Sequence, residues 1–161
     1  MIVIYGSTTG NCEDAAHKIA HAMGCESKNA SEAQSKDLAE NDVIILGAST
    51  WGIGDLQDDF IPFFKNLETA DLSGKKVAIF GTGDAQSYPD SFVDAMADIY
   101  KVVDTQGARL IGKTATKGYN FEESRAVIND MFVGLVLDYD NSSDEVDEKI
   151  DAWTASLKES L

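Results

Sequence analysis

Basic residues are scarce: 13 Lys and Arg stand against 28 Asp and Glu in 161 residues, a formal charge of −15. A nucleic acid needs a basic face for its phosphates and an anionic membrane surface needs the same, so both are excluded as partners. The imbalance favours a partner that carries a basic patch, met quickly and released as salt rises. Cysteine is nearly absent. Cys12 and Cys25 are too few and too awkwardly placed for a disulfide scaffold, a Cys-x-x-Cys redox site or a zinc site, which points to the reducing cytoplasm. The only two histidines, His17 and His21, stand four apart with no third ligand in view, and read as a solvated helix face rather than a metal pair. No apolar run approaches the length of a bilayer span, and the first six residues show neither a basic region nor a small-residue cleavage site, so no signal peptide is expected. Linkers, repeats and low-complexity segments are missing too. The expectation is a single domain over residues 1–161.

Four short apolar runs are present: Ile2-Val3-Ile4-Tyr5, Val43-Ile44-Ile45-Leu46, Val77-Ala78-Ile79-Phe80 and Val133-Gly134-Leu135-Val136-Leu137. They are β-branched and continuous rather than alternating, as strands buried on both faces must be. Arg109-Leu110-Ile111 is a weaker candidate, and Cys25 to Asn29 a polar edge strand. Helical spacing recurs between the runs. Ala15, Ala16, Ile19, Ala20 and Met23 share one face after Asn11; Phe92, Val93, Met96, Ile99, Tyr100 and Val103 do so after Pro89. Val146, Ile150, Trp153 and Leu157 follow Ser142 and Glu145, which are spaced as a capping box. Strand and helix in alternation predict an α/β fold with a parallel sheet. Residues 112–132 break the alternation and are expected to form a long surface excursion in or near the last strand.

In an open parallel sheet, ligands bind beyond the carboxyl ends of the strands. The loops that follow the runs should therefore carry the chemistry. Gly6-Ser7-Thr8-Thr9-Gly10-Asn11-Cys12 leads directly into a helix, and glycines, hydroxyls and successive N–H groups at a helix start can bind a phosphate without a cation. Its spacing is neither Gly-x-x-x-x-Gly-Lys nor Gly-x-Gly-x-x-Gly, which excludes a nucleoside-triphosphate loop and weakens a nicotinamide dinucleotide. Ser49-Thr50-Trp51-Gly52-Ile53-Gly54 places a large aromatic between glycines, where a flat ligand could stack on it. Gly81-Thr82-Gly83-Asp84 with Tyr88 repeats the pattern. A phosphate loop flanked by two aromatic loops outlines a site for a planar, phosphorylated ligand.

These three motifs in this order resemble the flavodoxins, small electron carriers that hold one FMN. Ser7, Thr9, Gly10 and Asn11 match the family's phosphate loop; Thr50 to Gly54 and Gly81 to Asp84 with Tyr88 match its two flavin loops. Gly118-Tyr119-Asn120-Phe121 through Asp140-Asn141 resembles the insertion of the long-chain branch. The resemblance implies a doubly wound three-layer fold with five parallel strands in the order 2-1-3-4-5. It implies that Ser7, Thr8, Thr9, Gly10, Asn11 and Cys12 surround the phosphate and that Trp51 and Tyr88 stack on the ring. Gly52, Ile53, Gly54, Gly81, Thr82, Gly83 and Asp84 would meet the ring's polar edge or its loop, with Ser49, Thr50 and Asp140 at the ribityl chain. Cys12 stands where the family usually has a threonine, so one hydroxyl bond to the phosphate should be lost while the backbone N–H remains.

The function implied is low-potential one-electron transfer without substrate turnover, by a cytoplasmic monomer. Its donor would be a flavoprotein reductase and its acceptors low-potential enzymes with basic patches. An FMN-dependent reductase acting on quinones is the alternative. A phospho-receiver domain is rejected, because Ser7 and Ser49 stand in the regions where it needs acids.

Overall fold

A strand covered on both faces must be apolar at every position, and its alternate side chains then enter two separate cores. The computed structural model, which describes residues Met1–Leu161, shows this division. Ile2 and Ile4 of β1 (Ile2–Gly6) enter one core together with Ile44 and Leu46 of β3 (Val43–Trp51) and Val77 and Ile79 of β5 (Lys76–Thr82). Val3, Tyr5, Ile45, Ala78 and Phe80 enter the other. Helices α1 (Asn11–Met23) and α5 (Val146–Ser160) cover the second core, and α3 (Phe60–Thr69) and α4 (Ala95–Thr105) cover the first. The short α2 (Ser35–Ala39) lies on the α3 side.

The parallel sheet runs β2 (Glu26–Asn29), β1, β3, β5, with the outer edge of β5 shared by two pieces. β6 (Arg109–Ile111) pairs with Lys76 to Ala78, and β10 (Leu135–Leu137) pairs with Phe80 to Thr82. Together they fill one strand position, which gives the order 2-1-3-4-5 with a split fifth strand. β4 (Asp55–Leu56) folds back antiparallel on the end of β3.

Several expectations need correction. The last strand is shorter than its apolar run: Val133 and Gly134 bend ahead of it, Val133 N donates to the Ala126 carbonyl at 2.9 Å, and Gly134 passes so close to the Ile79 carbonyl that a Cβ would collide with it. Phe92 and Val93 are buried but precede α4, which starts at Ala95. Ser142 makes no side-chain cap: a 3₁₀ turn, Ser143–Glu145, intervenes, and Glu145 N donates to the Ser142 carbonyl at 3.1 Å. Residues 112–132 are more than a surface excursion. They contain β7 (Thr114–Ala115), β8 (Val127–Ile128) and β9 (Met131–Phe132), paired antiparallel, and bury Ala126 and Phe132 completely. Phe92 packs against Tyr119, Phe121 and Phe132 with ring centroids 6.1, 5.5 and 6.2 Å away.

Candidate functional site

The carboxyl ends of β1, β3, β5 and β10 open on one side of the sheet. The three loops meet there around a cleft of about 220 Å³. At one end stands the start of α1. Gly10 takes φ +95°, a left-handed conformation that turns the chain into the helix, and its N–H donates to Ser7 Oγ at 3.2 Å. No side chain caps α1. Its first N–H groups are therefore left without a side-chain partner where Thr9 and Asn11 line the cleft, a donor set without a cation that suits an anion. Along the cleft lie Ser49, Thr50 and Thr82, and the Thr82 hydroxyl donates to Ser49 Oγ at 2.9 Å within the protein.

The other end is aromatic. Trp51 and Tyr88 both line the cleft, yet are 41% and 50% exposed, so neither serves as a core lid. Two large half-exposed rings on one cleft, with Gly52 and Gly83 also in its lining, offer apolar faces to a flat ligand. Asp84, Tyr139 and Asp140 complete the lining. Asp84 is held below the ordinary carboxylate range by hydrogen bonding from Ser87, whose N–H lies at 2.9 Å, and by the Asn141 amide at 2.9 Å and Gln86 N–H at 3.1 Å. Asp140 is exposed to solvent on one side; partial desolvation in the cleft and then the Asp84 and Asp138 carboxylates push its carboxyl up. A carboxyl whose folded-state pKa is raised costs the folded state while it is ionised. Asp140→Asn should therefore raise thermal stability at neutral pH. The gain should fade as pH falls through the raised pKa and vanish below the ordinary aspartate value of about 4. Melting temperatures of both proteins across pH 3–7 check this; a gain that grows toward acid pH contradicts it.

Eleven of the sequence-derived residues line this cleft: Thr9, Asn11, Ser49, Thr50, Trp51, Gly52, Thr82, Gly83, Asp84, Tyr88 and Asp140. The others support it or point elsewhere. Ser7 braces Gly10, and Thr8 turns toward Gln57, whose Nε2 donates to its hydroxyl at 2.6 Å. Cys12 buries its thiol completely in the core, and burial pushes that thiol far above its usual range, so only its main chain can serve the loop. Ile53 is 89% exposed at the tip of the turn between β3 and β4. Gly54 is buried behind that turn, and Gly81 lies within β5 under Met96.

Three contributors had no clear signal in the sequence. Tyr139 lines the cleft and donates its hydroxyl to Asp14 Oδ2 at 2.8 Å; burial and that bond push the phenol well up. Buried Asp138 accepts from Ala85 N at 3.1 Å and Asn141 N at 3.0 Å, tying the end of β10 to the Tyr88 loop. Gln57 is buried under the phosphate-type loop with its Oε1 unpartnered. The run Asp138-Tyr139-Asp140-Asn141, acids and an amide around an aromatic directly after a strand, was the one available hint. A larger groove of about 560 Å³ between α3 and α4, lined by Phe64, Lys101 and Gln106, touches Leu56 of β4 but none of the residues that line the cleft.

A doubly wound parallel α/β fold with an uncapped helix start facing an aromatic-walled cleft defines a binding protein for a flat, anionic ligand. The flavodoxin family model matches residues 3–153. The flavodoxin of Trichodesmium erythraeum is 42% identical over 158 residues, covering 95% of this chain and 92% of that protein. That of Nostoc sp. (strain PCC 7120) is 39% identical over 159 residues, covering 97% and 94%. The chain belongs to the flavodoxin family. Among solved structures, Fusobacterium nucleatum flavodoxin bound to flavin mononucleotide superposes with a TM-score of 0.94 at 24% identity, covering 99% of this chain and 97% of that one. A mutant of the same protein, also bound to flavin mononucleotide, gives 0.92 at 26% identity, covering 99% and 95%.

Proposed function

We propose that this protein binds one FMN non-covalently in the cleft and carries single electrons between redox proteins, without substrate turnover of its own. The observation that carries this reading is the cleft itself: an uncapped helix start and hydroxyls at one end, two half-exposed aromatic rings at the other. FMN, when bound, supplies the one-electron chemistry. The chain's own residues bind and orient it. Ser7 to Cys12 wrap the phosphate, Thr9 and Asn11 through side chains as well as main chain, and the others through N–H groups or by shaping the loop. Trp51 and Tyr88 cover the ring and exclude water from its faces. Ser49, Thr50 and Asp140 meet the ribityl chain. Gly52, Ile53, Gly54, Gly81, Thr82, Gly83 and Asp84 form the two loops along the ring edge.

The exposed tip at Ile53 sits among the exposed acids Asp55 and Asp58 on a chain of net charge −15. That surface suits basic-patched partners, a flavoprotein reductase as donor and low-potential enzymes as acceptors, reached by the protein as a monomer in the cytoplasm. No helix is long and apolar enough to cross a membrane. Titration of the cofactor-free protein with FMN tests the reading. One equivalent should bind and lose nearly all its fluorescence against the two rings, and FMN should bind far more tightly than riboflavin. Absent binding, or bright emission at saturation, would overturn it.

A further inference from the structure

Residues 112–134 have no role in the reading above, yet their contacts converge on one seam. Glu122 N and Glu123 N both donate to the Pro89 carbonyl, at 2.9 and 3.0 Å. Phe92 N donates to the Glu123 carbonyl at 3.3 Å, and Ser124 Oγ donates to the Phe92 carbonyl at 2.5 Å. Arg125 completes the seam. Its N–H and Nε donate to Asp94 Oδ1 and Oδ2 at 2.7 and 3.1 Å, and its Nη1 to Asp98 Oδ1 at 2.9 Å. Its Nη2 reaches the Gly54 carbonyl at 3.5 Å. Between Phe92 and Asp94, Val93 is held at φ +51°, a conformation a β-branched residue keeps only when its surroundings over-determine it.

The seam ends at the wall of the cleft. Asp94 is buried, and its Cβ and Oδ2 each lie 3.0 Å from where a Cβ on Gly54 would sit. Ala95 N, the next donor, reaches Thr50 Oγ1 at 3.2 Å. The turn that follows Trp51 otherwise has little support. Gly52 and Gly54 take positive φ, Ile53 is 89% exposed, and β3 and β4 pair over only two residue pairs, Thr50↔Leu56 and Trp51↔Asp55. Asp94 is its inner surface, and Arg125 is the cation paired with that buried carboxylate.

We propose that Arg125 is a positioning residue: by holding Asp94 beneath Gly54 it fixes the Gly52–Gly54 turn, and so makes the 112–134 insertion a brace for the aromatic wall of the cofactor cleft. The planar fork is what the role requires, since it serves Asp94, Asp98 and the Gly54 carbonyl together; a lysine ammonium keeps the charge but cannot span all three. When the turn is loose, only a fraction of molecules presents a formed wall, and ligand affinity falls by that fraction. The link to the cofactor rests on the FMN reading, whereas the brace itself can be measured without any cofactor.

The experiment uses the full chain with Arg125→Gln and Arg125→Lys. In the cofactor-free proteins, amide exchange in β4, at Asp55 and Leu56 that pair with Trp51 and Thr50, should accelerate by about tenfold or more with Gln and by an intermediate factor with Lys, while the body of α1 exchanges as in the parent. FMN and riboflavin should weaken by the same factor, about tenfold with Gln, because the turn bears on the ring and not the phosphate. Should the Gln variant fail to fold, the Lys variant, which keeps a cation over Asp94, decides alone. Exchange at Asp55 and Leu56 equal to the parent in the Lys variant overturns the proposal, as does a loss of FMN affinity that riboflavin does not share. A parent protein that binds no FMN would defeat the cofactor reading and leave the exchange result standing.

Discussion

Trp51→Ala combined with Tyr88→Ala is expected to weaken FMN binding by about 2 kcal/mol, roughly 30-fold, from lost stacking on two faces. The fold should hardly notice. Both rings are already half in water, at 41% and 50% exposure, and surface changes of that kind usually stay within about 0.5 kcal/mol of the parent. That contrast makes the pair informative, because a weakened cleft in an unweakened fold separates binding from folding. Fluorescence titration gives the first quantity and thermal denaturation the second. The residual flavin fluorescence of the double variant should rise as well, since the quenching rings are gone. A double variant that binds FMN as tightly as its parent would remove both residues from the site.

Thr9→Asp should act at the opposite end of the cleft with comparable size. Thr9 is exposed and lines the cleft beside the uncapped start of α1, where Glu13 and Asp14 already stand in the first turn. A new carboxylate about 4 Å from a phosphate dianion costs about 2 kcal/mol even at the dielectric constant of water, and more where water is partly excluded. FMN affinity should fall roughly 30-fold or more, and the loss should shrink as salt is added. Riboflavin, which has no phosphate, should bind as it does to the parent. Equal losses for both ligands would show that the loop shapes the ring site instead of holding an anion.

What the sequence made legible follows from how local each signal is. The buried parallel strands declared themselves because both faces must be apolar, and Ile2 to Tyr5, Val43 to Leu46 and Val77 to Phe80 are all found in the sheet. The three loops were legible for a related reason: glycines and hydroxyl residues clustered directly after a buried strand let the chain wrap closely around a ligand, and a large aromatic left in a loop is costly without a use. Helix α3 escaped notice because Phe60-Ile61-Pro62-Phe63-Phe64 is nearly continuous in apolar residues and contains proline. Pro62 is nonetheless the third residue of that helix, in the first turn, where its missing N–H would have no partner anyway. Phe92 and Val93 mimicked helix spacing, but it is the rings of the insertion that bury Phe92. Two-residue strands such as β7, β8 and β9 exist only through pairing with each other, so no local pattern could announce them. The same holds for Asp138, Gln57 and Arg125, whose partners lie 53, 49 and 31 residues away in sequence.

Carriage of single electrons is what separates this protein from a two-electron reductase. The most direct measurement is a spectroscopic redox titration of the FMN-loaded protein. Reduction should proceed in two well-separated one-electron steps. The second should lie at very negative potential, because a chain of charge −15 with Asp84 beside the cleft resists further negative charge there. A single two-electron step, with rapid turnover of NAD(P)H and a quinone, would contradict the carrier and identify a reductase instead.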